Sequence, residues 1–172
     1  SSEKFNILKP YIQISEAFRR KQDTLHFIKK AEKDTLAVYK YPEGTLVDLN
    51  EADTTELKKI PGIGSGIARM IVAYRKRLGG FYDMAQLKEV NYVDEDMLRW
   101  FKLGNAPIHR INANKAGLDK LRSHPYMNFY QAKVIIEYRR KKGKLKSLSQ
   151  LSLYEEFTEK DLERLSHYLA FD

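Results

Sequence analysis

Apolar residues recur along this chain in short blocks at helical spacing, with Gly, Pro and Asp between the blocks. Ile67, Ile71, Tyr74 and Leu78 lie three or four residues apart and put one stripe on a helix. Leu57 and Ile60 belong to a shorter block before it, which stops at Pro61. Asp53 stands three residues before Glu56, the spacing of a capping box, and so predicts where the short helix starts. Ser65 is expected to cap the long helix and Gly79-Gly80 to end it. Asp83 with Gln86 predicts a third short helix, and Asp94 caps a fourth. Strand signals are scarce. Val47–Asn50 reads as an extended lead-in, with nothing to predict that it pairs. The expected fold class is all-α.

The same pattern recurs further on. Shifted by 64 positions, residues 47–103 fall on 111–167 without a gap. Asn50 meets Asn114, Leu57 meets Leu121, Pro61 meets Pro125, Ala68 meets Ala132 and Ile71 meets Ile135. Tyr74-Arg75 meets Tyr138-Arg139, Gly79 meets Gly143, and Gln86-Leu87 meets Gln150-Leu151. The caps follow too, as Ser147 with Gln150 and as Thr158. A register held across helices and turns predicts a duplicated unit of four short helices, over 47–107 and again over 108–172. Residues 1–12 read as the closing stretch of a preceding unit, through Phe5, Leu8, Pro10, Tyr11 and Ile12. Residues 13–46 read as a charged linker, helical at most around Ser15 to Lys33.

The stretch with chemistry in it is Ile60-Pro61-Gly62-Ile63-Gly64-Ser65-Gly66-Ile67-Ala68. Glycines bracket one apolar residue between two helices, where they allow positive φ and leave no Cβ in the way. Backbone N–H groups of the turn and of the next helix can converge on an anion, helped by the helix N-terminus. A phosphate fits there, and such a contact reads no bases. The candidate site is Gly62, Ile63, Gly64, Ser65, Gly66 and Arg69.

Val47-Asp48-Leu49-Asn50-Glu51-Ala52-Asp53, Leu57-Lys58-Lys59-Ile60-Pro61-Gly62-Ile63-Gly64, Tyr74-Arg75, Gly79-Gly80-Phe81 and Leu87 resemble the helix-hairpin-helix domain of ComEA-type competence proteins. That resemblance implies tandem helix-hairpin-helix (SAM-like) units with two hairpins each. It also implies duplex DNA as partner, a role in DNA uptake and a place at the bacterial cell envelope. The copies depart from the family pattern. Asn91-Tyr92-Val93 stands where a second Gly-Ile-Gly turn is usual. Pro125-Tyr126-Met127-Asn128 and Glu155-Glu156-Phe157 replace both turns of the second copy. Tyr126 would obstruct a close phosphate and Glu155 with Glu156 would repel one, whereas Asn128 tolerates the left-handed region and keeps the bend. Tyr126, Phe129 and Tyr130 are expected to pack into the core of this altered turn.

Charge sharpens the contrast. The chain carries 31 basic and 23 acidic residues, a net +8. Residues 47–103 hold nine of each sign, while 104–172 hold 13 basic and eight acidic, so the excess sits with the altered copy. Most of it is Arg139, Arg140, Lys141, Lys142, Lys144 and Lys146, opposite Arg75, Lys76 and Arg77 in the first copy. One or two cations suit a helix C-terminus. Six within eight residues exceed that need and favour an anionic partner, nucleic acid first. A protein partner is the second reading, under which the fold persists as a scaffold without its phosphate chemistry.

Other classes find no support. There is no cysteine, and His26, His109, His124 and His167 are scattered, so no metal or other cofactor is expected. No apolar run reaches membrane-spanning length in this segment. No nucleophile or carboxylate cluster with catalytic spacing stands out, so no enzymatic activity is expected of this chain.

Overall fold

The computed structural model describes residues 39–172. The closing stretch (1–12), the body of the linker and its helix around Ser15 to Lys33 lie outside the described residues. The fold is all-α with tandem hairpin units, as expected. Each copy has the same order. The first runs β1 (Val47–Asp48), α1 (Thr54–Leu57), α2 (Ser65–Leu78), a 3-10 segment (Met84–Glu89), α3 (Glu95–Leu98) and β2 (Phe101–Lys102). The second runs β3 (Ile111–Asn112), α4 (Leu118–Arg122), α5 (Phe129–Lys142), a 3-10 segment (Leu148–Gln150), α6 (Glu159–Ser166) and β4 (Leu169–Ala170). The third short helix of each copy is thus a 3-10 helix.

Caps fix most of these boundaries. Capping boxes close Asp53 with Glu56, Asp83 with Gln86, Ser147 with Gln150 and Thr158 with Asp161. Asp94 accepts from the Met97 N–H. Gly79 ends α2 in the left-handed region at φ 92°. On α2, Ile71 and Leu78 are buried, whereas Ile67 and Tyr74 are half-buried at the edge of the stripe.

The lead-ins do pair, each with the end of its own copy. β1 lies parallel to β2 with Val47 opposite Phe101, and β3 parallel to β4 with Ile111 opposite Leu169. Parallel pairing needs a long crossover, and the helices of each copy supply it.

The pairing also corrects the gapless repeat. Glu95 and Glu159, which open the last helices, are 64 positions apart, but the strand partners Phe101 and Leu169 are 68 apart. The difference lies in the last helix, which has four residues in α3 and eight in α6. Four residues are close to one turn, so the insertion returns the chain to the same face. Trp100 and Tyr168 are therefore equivalent: their carbonyls accept from Val47 N at 2.8 Å and Ile111 N at 2.7 Å.

Each copy has its own core. Leu49, Leu57, Ile60, Ile63, Ala68, Ile71, Leu78, Phe81 and Leu87 fill the first. Ala113, Leu121, Ala132, Ile135, Leu145, Leu151 and Leu165 fill the second. Tyr168, from the second copy, is buried in the first core, and its hydroxyl donates to the Gly80 carbonyl at 2.9 Å. Around it the copies are joined by polar bonds. Gln86 donates from Nε2 to the hydroxyls of Tyr126 and Tyr168, and Tyr126 donates to Glu89 at 2.8 Å. The Arg164 guanidinium lies 4.7 Å from the centre of the Tyr126 ring and reaches Glu89 at 3.4 Å. His124 is buried against the end of α2. Its Nδ1 accepts from Tyr126 N at 3.2 Å, so its Nε2 is the donor to the Leu78 carbonyl at 3.0 Å. Burial holds this imidazole down at a pKa of about 4, with Arg77 and Lys120 acting in the same direction.

Candidate nucleic-acid interface

The first hairpin is anchored from below and open above. Ile60 and Ile63 are buried, and Ile63 N–H is spent on the Ile60 carbonyl at 3.2 Å. Pro61, Gly62, Gly64, Ser65, Gly66 and Arg69 are exposed. Ile63 therefore anchors the turn and leaves the N–H work to its neighbours. Before the turn, Lys40 donates through Nζ to the carbonyls of Lys58 at 2.7 Å and Ile60 at 3.1 Å, and Tyr41 N donates to Lys59 O at 2.9 Å. The end of the expected linker is thus packed onto the back of the hairpin.

The three glycines differ. Gly62 has φ 83°, a left-handed place that favours glycine, and a Cβ there would sit 3.1 Å from Cε of Met97. Gly64 does not have the positive φ expected of it. It is extended at φ −91°, ψ 178°, and it, not Ser65, is the N-cap of α2. A Cβ at Gly64 or Gly66 would meet nothing within 4 Å. What glycine leaves at these two positions is open space outside the molecule. Among the described residues, no side chain caps α2. The first-turn N–H groups, the unpaired donors of any helix start, face solvent there. Arg69 donates through Nε to the Ser65 carbonyl at 3.1 Å, which holds its guanidinium back along the first turn.

The matching turn of the second copy is closed. Asn128 is its N-cap at φ −85°, extended and not left-handed as expected. The Asn128 side chain accepts from Gln131 N, and Gln131 accepts from Asn128 N, both at 2.9 Å. These side chains take two of the donors of the helix start, the N–H groups of Asn128 and Gln131. Phe129 and Tyr130 stand where Ser65 and Gly66 stand in the first copy. They are exposed, not core as expected, with their rings edge to face at 5.6 Å. Only Tyr126 packs inward. In the first copy's second hairpin, Tyr92 takes the left-handed place of a glycine at φ 66°, with its ring exposed. The helix behind it opens with Asp94, Glu95 and Asp96, where negative charge meets any approaching phosphate.

The basic patch divides into two kinds of residue. Arg75 donates through Nη1 to the carbonyls of Leu49 at 2.9 Å and Ala52 at 2.8 Å. Arg139 donates likewise to Ala116 at 2.6 Å. Each ties the end of its long helix to the lead-in, which the Tyr-Arg pairs of the repeat foreshadow. Lys76, Arg77, Arg140, Lys141, Lys142, Lys144 and Lys146 carry charge at the surface or its edge. Lys141 lies 3.5 Å from Glu137 and the Lys142 ammonium 5.6 Å from the centre of the Tyr138 ring.

The helix-hairpin-helix motif model matches residues 43–100 and again 107–170, one match per copy. The chain belongs to the helix-hairpin-helix family. Its curated relatives include the proteins called endonuclease/exonuclease/phosphatase family domain-containing protein 1 in Mus musculus and Rattus norvegicus. Each is 27% identical over 154 residues, with 70% of this chain and 27% of the relative covered. The Xenopus laevis protein of the same name is 25% identical over 146 residues, with 70% and 26% covered. The chain thus spans about a quarter of the length of these relatives. No solved structure matches it significantly. These relatives carry a different name from the DNA-uptake receptors that the motifs resemble. Among the described residues, no helix is long and apolar enough to cross a membrane, and no His, Cys, Asp and Glu cluster in a way that could hold a metal ion.

Proposed function

We propose that this chain binds the backbone of nucleic acid, duplex DNA in particular, without sequence preference, through the first hairpin. The observation that carries this reading is the contrast between two equivalent helix starts. The one at Gly64–Gly66 is uncapped, exposed and free of carboxylates, while the one at Asn128–Gln131 is closed by its own side chains. In the uncapped turn, N–H groups of Gly64, Ser65 and Gly66, with Arg69 beside them, hold one phosphate oxygen or more. These contacts read no base edges.

The chain itself does no chemistry under this reading. Asp53, Asp83, Asp94 and Asp161 are spent as caps or cap partners, which leaves them poorly placed as metal ligands or general bases. The names of the relatives fit a chain that holds nucleic acid for a separate catalytic part. Service in DNA uptake remains the reading favoured by the motif resemblance alone.

Gly64→Val tests the site. Gly64 sits in backbone space that any residue adopts, with open room for a side chain. The variant should therefore fold, losing at most about 1 kcal/mol for the poorer N-cap. Its affinity for a mixed-sequence duplex at low salt should fall about tenfold, the loss of one charge-assisted hydrogen bond of about 1.4 kcal/mol. Unchanged binding by the folded variant would reduce the hairpin to a structural turn. Absence of any duplex binding by the parent would favour the scaffold reading, which the closed second copy also suits.

A further inference from the structure

The long helices end as informatively as they begin. Behind the end of α5 lies an open groove of about 440 Å³ lined by Asn114, Ile136, Arg139, Arg140, Gly143 and Lys144. Behind the end of α2 lies a cavity of about 390 Å³, and Asn50, Arg75, Lys76, Gly79 and Gly80 line it at the matching positions. The duplication therefore preserved a groove, with its Asn-Arg pair, in a chain whose hairpins diverged.

What fills the two differs. In the first copy the segment joining the copies crosses the groove. Ala106, Pro107 and His109 line it, and His109 N donates to the Gly79 carbonyl at 2.8 Å. Gly80 permits this, since a Cβ there would sit 3.0 Å from Cδ1 of Ile108. In the second copy the matching residue is Lys144, Lys76 has become Arg140, and a Cβ at Gly143 would meet nothing within 4 Å. The groove has exchanged its strap for one more exposed cation, Lys144 in the place of Gly80, beside Arg140 in the place of Lys76. Its polar floor is already satisfied, because Asn114 bonds to both backbone groups of Leu145 and Arg139 to Ala116. Arg139 is thereby held in place, and Arg140 and Lys144 stand at the rim. Among the described residues, no carboxylate lines the groove.

We propose that this groove is a second phosphate-binding site for the same nucleic acid, and that the second copy has moved its backbone contact from the start of its long helix to the end. The inference rests on the nucleic-acid reading above. It explains why the copy with the closed hairpin is the basic one. Diffuse attraction by a surface of net positive charge needs no groove, so position is what separates the two.

The test uses the full chain and a labelled mixed-sequence duplex, with affinity followed against salt. Arg140→Gln with Lys144→Gln removes both rim charges. Lys120→Gln with Lys160→Gln removes two exposed charges of the same copy that do not line the groove. The groove pair should flatten the log–log salt slope by roughly 1 to 2, at about 0.9 for each phosphate no longer neutralised. The control pair should change it by less than half as much. Titration with the duplex should also shift the amide signals of Gly143 and Lys144 in the parent. Equal effects of the two pairs, or unmoved Gly143 and Lys144 signals, would overturn the groove. Gly64→Val keeps the readings apart. If it loses affinity while the groove pair matches its control, the hairpin stands and the groove falls. If the parent binds only poly-glutamate or anionic vesicles and no duplex, both readings fall.

Discussion

Single residues decide this molecule at Gly64 and at His124. At Gly64 the decisive fact is the absence of a side chain, since nothing inside the protein needs that space. At His124 it is a fixed tautomer. The ring accepts at Nδ1 and donates at Nε2, so a second ring proton would face the Tyr126 N–H. The folded pKa is about 4, against about 6.5 in an unfolded chain. Above pH 6.5 both states hold the neutral ring, and its share of the stability is whole. As pH falls from 6.5 towards 4, the unfolded chain takes up a proton that the folded one refuses. The loss reaches about 3 kcal/mol by pH 4. Urea midpoints at pH 7 and pH 4.5 should therefore differ more for the parent than for His124→Gln. Equal differences would show that other groups set the acid limit.

At the scale of elements, helix starts were legible wherever a side chain announces them. Asp53, Asp83, Asp94, Ser147 and Thr158 cap where their spacing predicts. The start of α2 lies one residue before the cap that the sequence suggests, because Gly64 has no side chain to announce anything and Ser65 beside it looks like a cap. The left-handed place stays open in the sequence for a related reason. In Gly-Ile-Gly either glycine can supply positive φ, and only the folded backbone shows that it is Gly62, at φ 83° against −91° for Gly64. Four extra residues in the last helix stayed hidden because one turn preserves the face pattern, and identities run out before the strands re-pair. The strands themselves are two residues long, too short for any alternation to appear. Phe129 and Tyr130 look like core by composition. Their exposure follows from their place in the first turn of α5, which faces outward at Ser65 and Gly66 in the first copy too. Asn128→Ala, which removes that cap, should cost about 1 kcal/mol in denaturant unfolding and leave duplex affinity unchanged. A clear gain in affinity would mean that the cap was masking a working phosphate site.

At the scale of the whole molecule, two cores share one tyrosine. Tyr168 fills the first core from the second copy and carries the hydroxyl that Gly80 and Gln86 hold. Around it, Tyr126, Glu89, Arg164 and His124 join the copies by hydrogen bonds and charge. Coupling of this kind makes two small cores, each marginal alone, unfold together. Tyr168→Ala should cost about 3 to 5 kcal/mol. Calorimetry should then resolve two transitions where the parent shows one. A single sharp transition in the variant would place the coupling elsewhere, in the segment that crosses the first groove. Neither the shared tyrosine nor its partners could be read from sequence. They stand about 40 to 80 positions apart, as with Gln86 and Tyr126 or Gln86 and Tyr168, and only the docking of the copies brings them together.

The short parallel strands have a mechanical meaning. Because β1 and β2 run side by side in the same direction, each copy enters and leaves along one short ribbon, with its helices hung between as a closed loop. Tension applied along the chain pulls the two strands of a pair past each other. The bonds from Val47 N to Trp100 O and from Leu49 N to Lys102 O are then loaded in shear and at once. An antiparallel hairpin would yield them one by one. Two residues of strand thus act as a clasp: a pull on the two ends of a copy would meet its first resistance there.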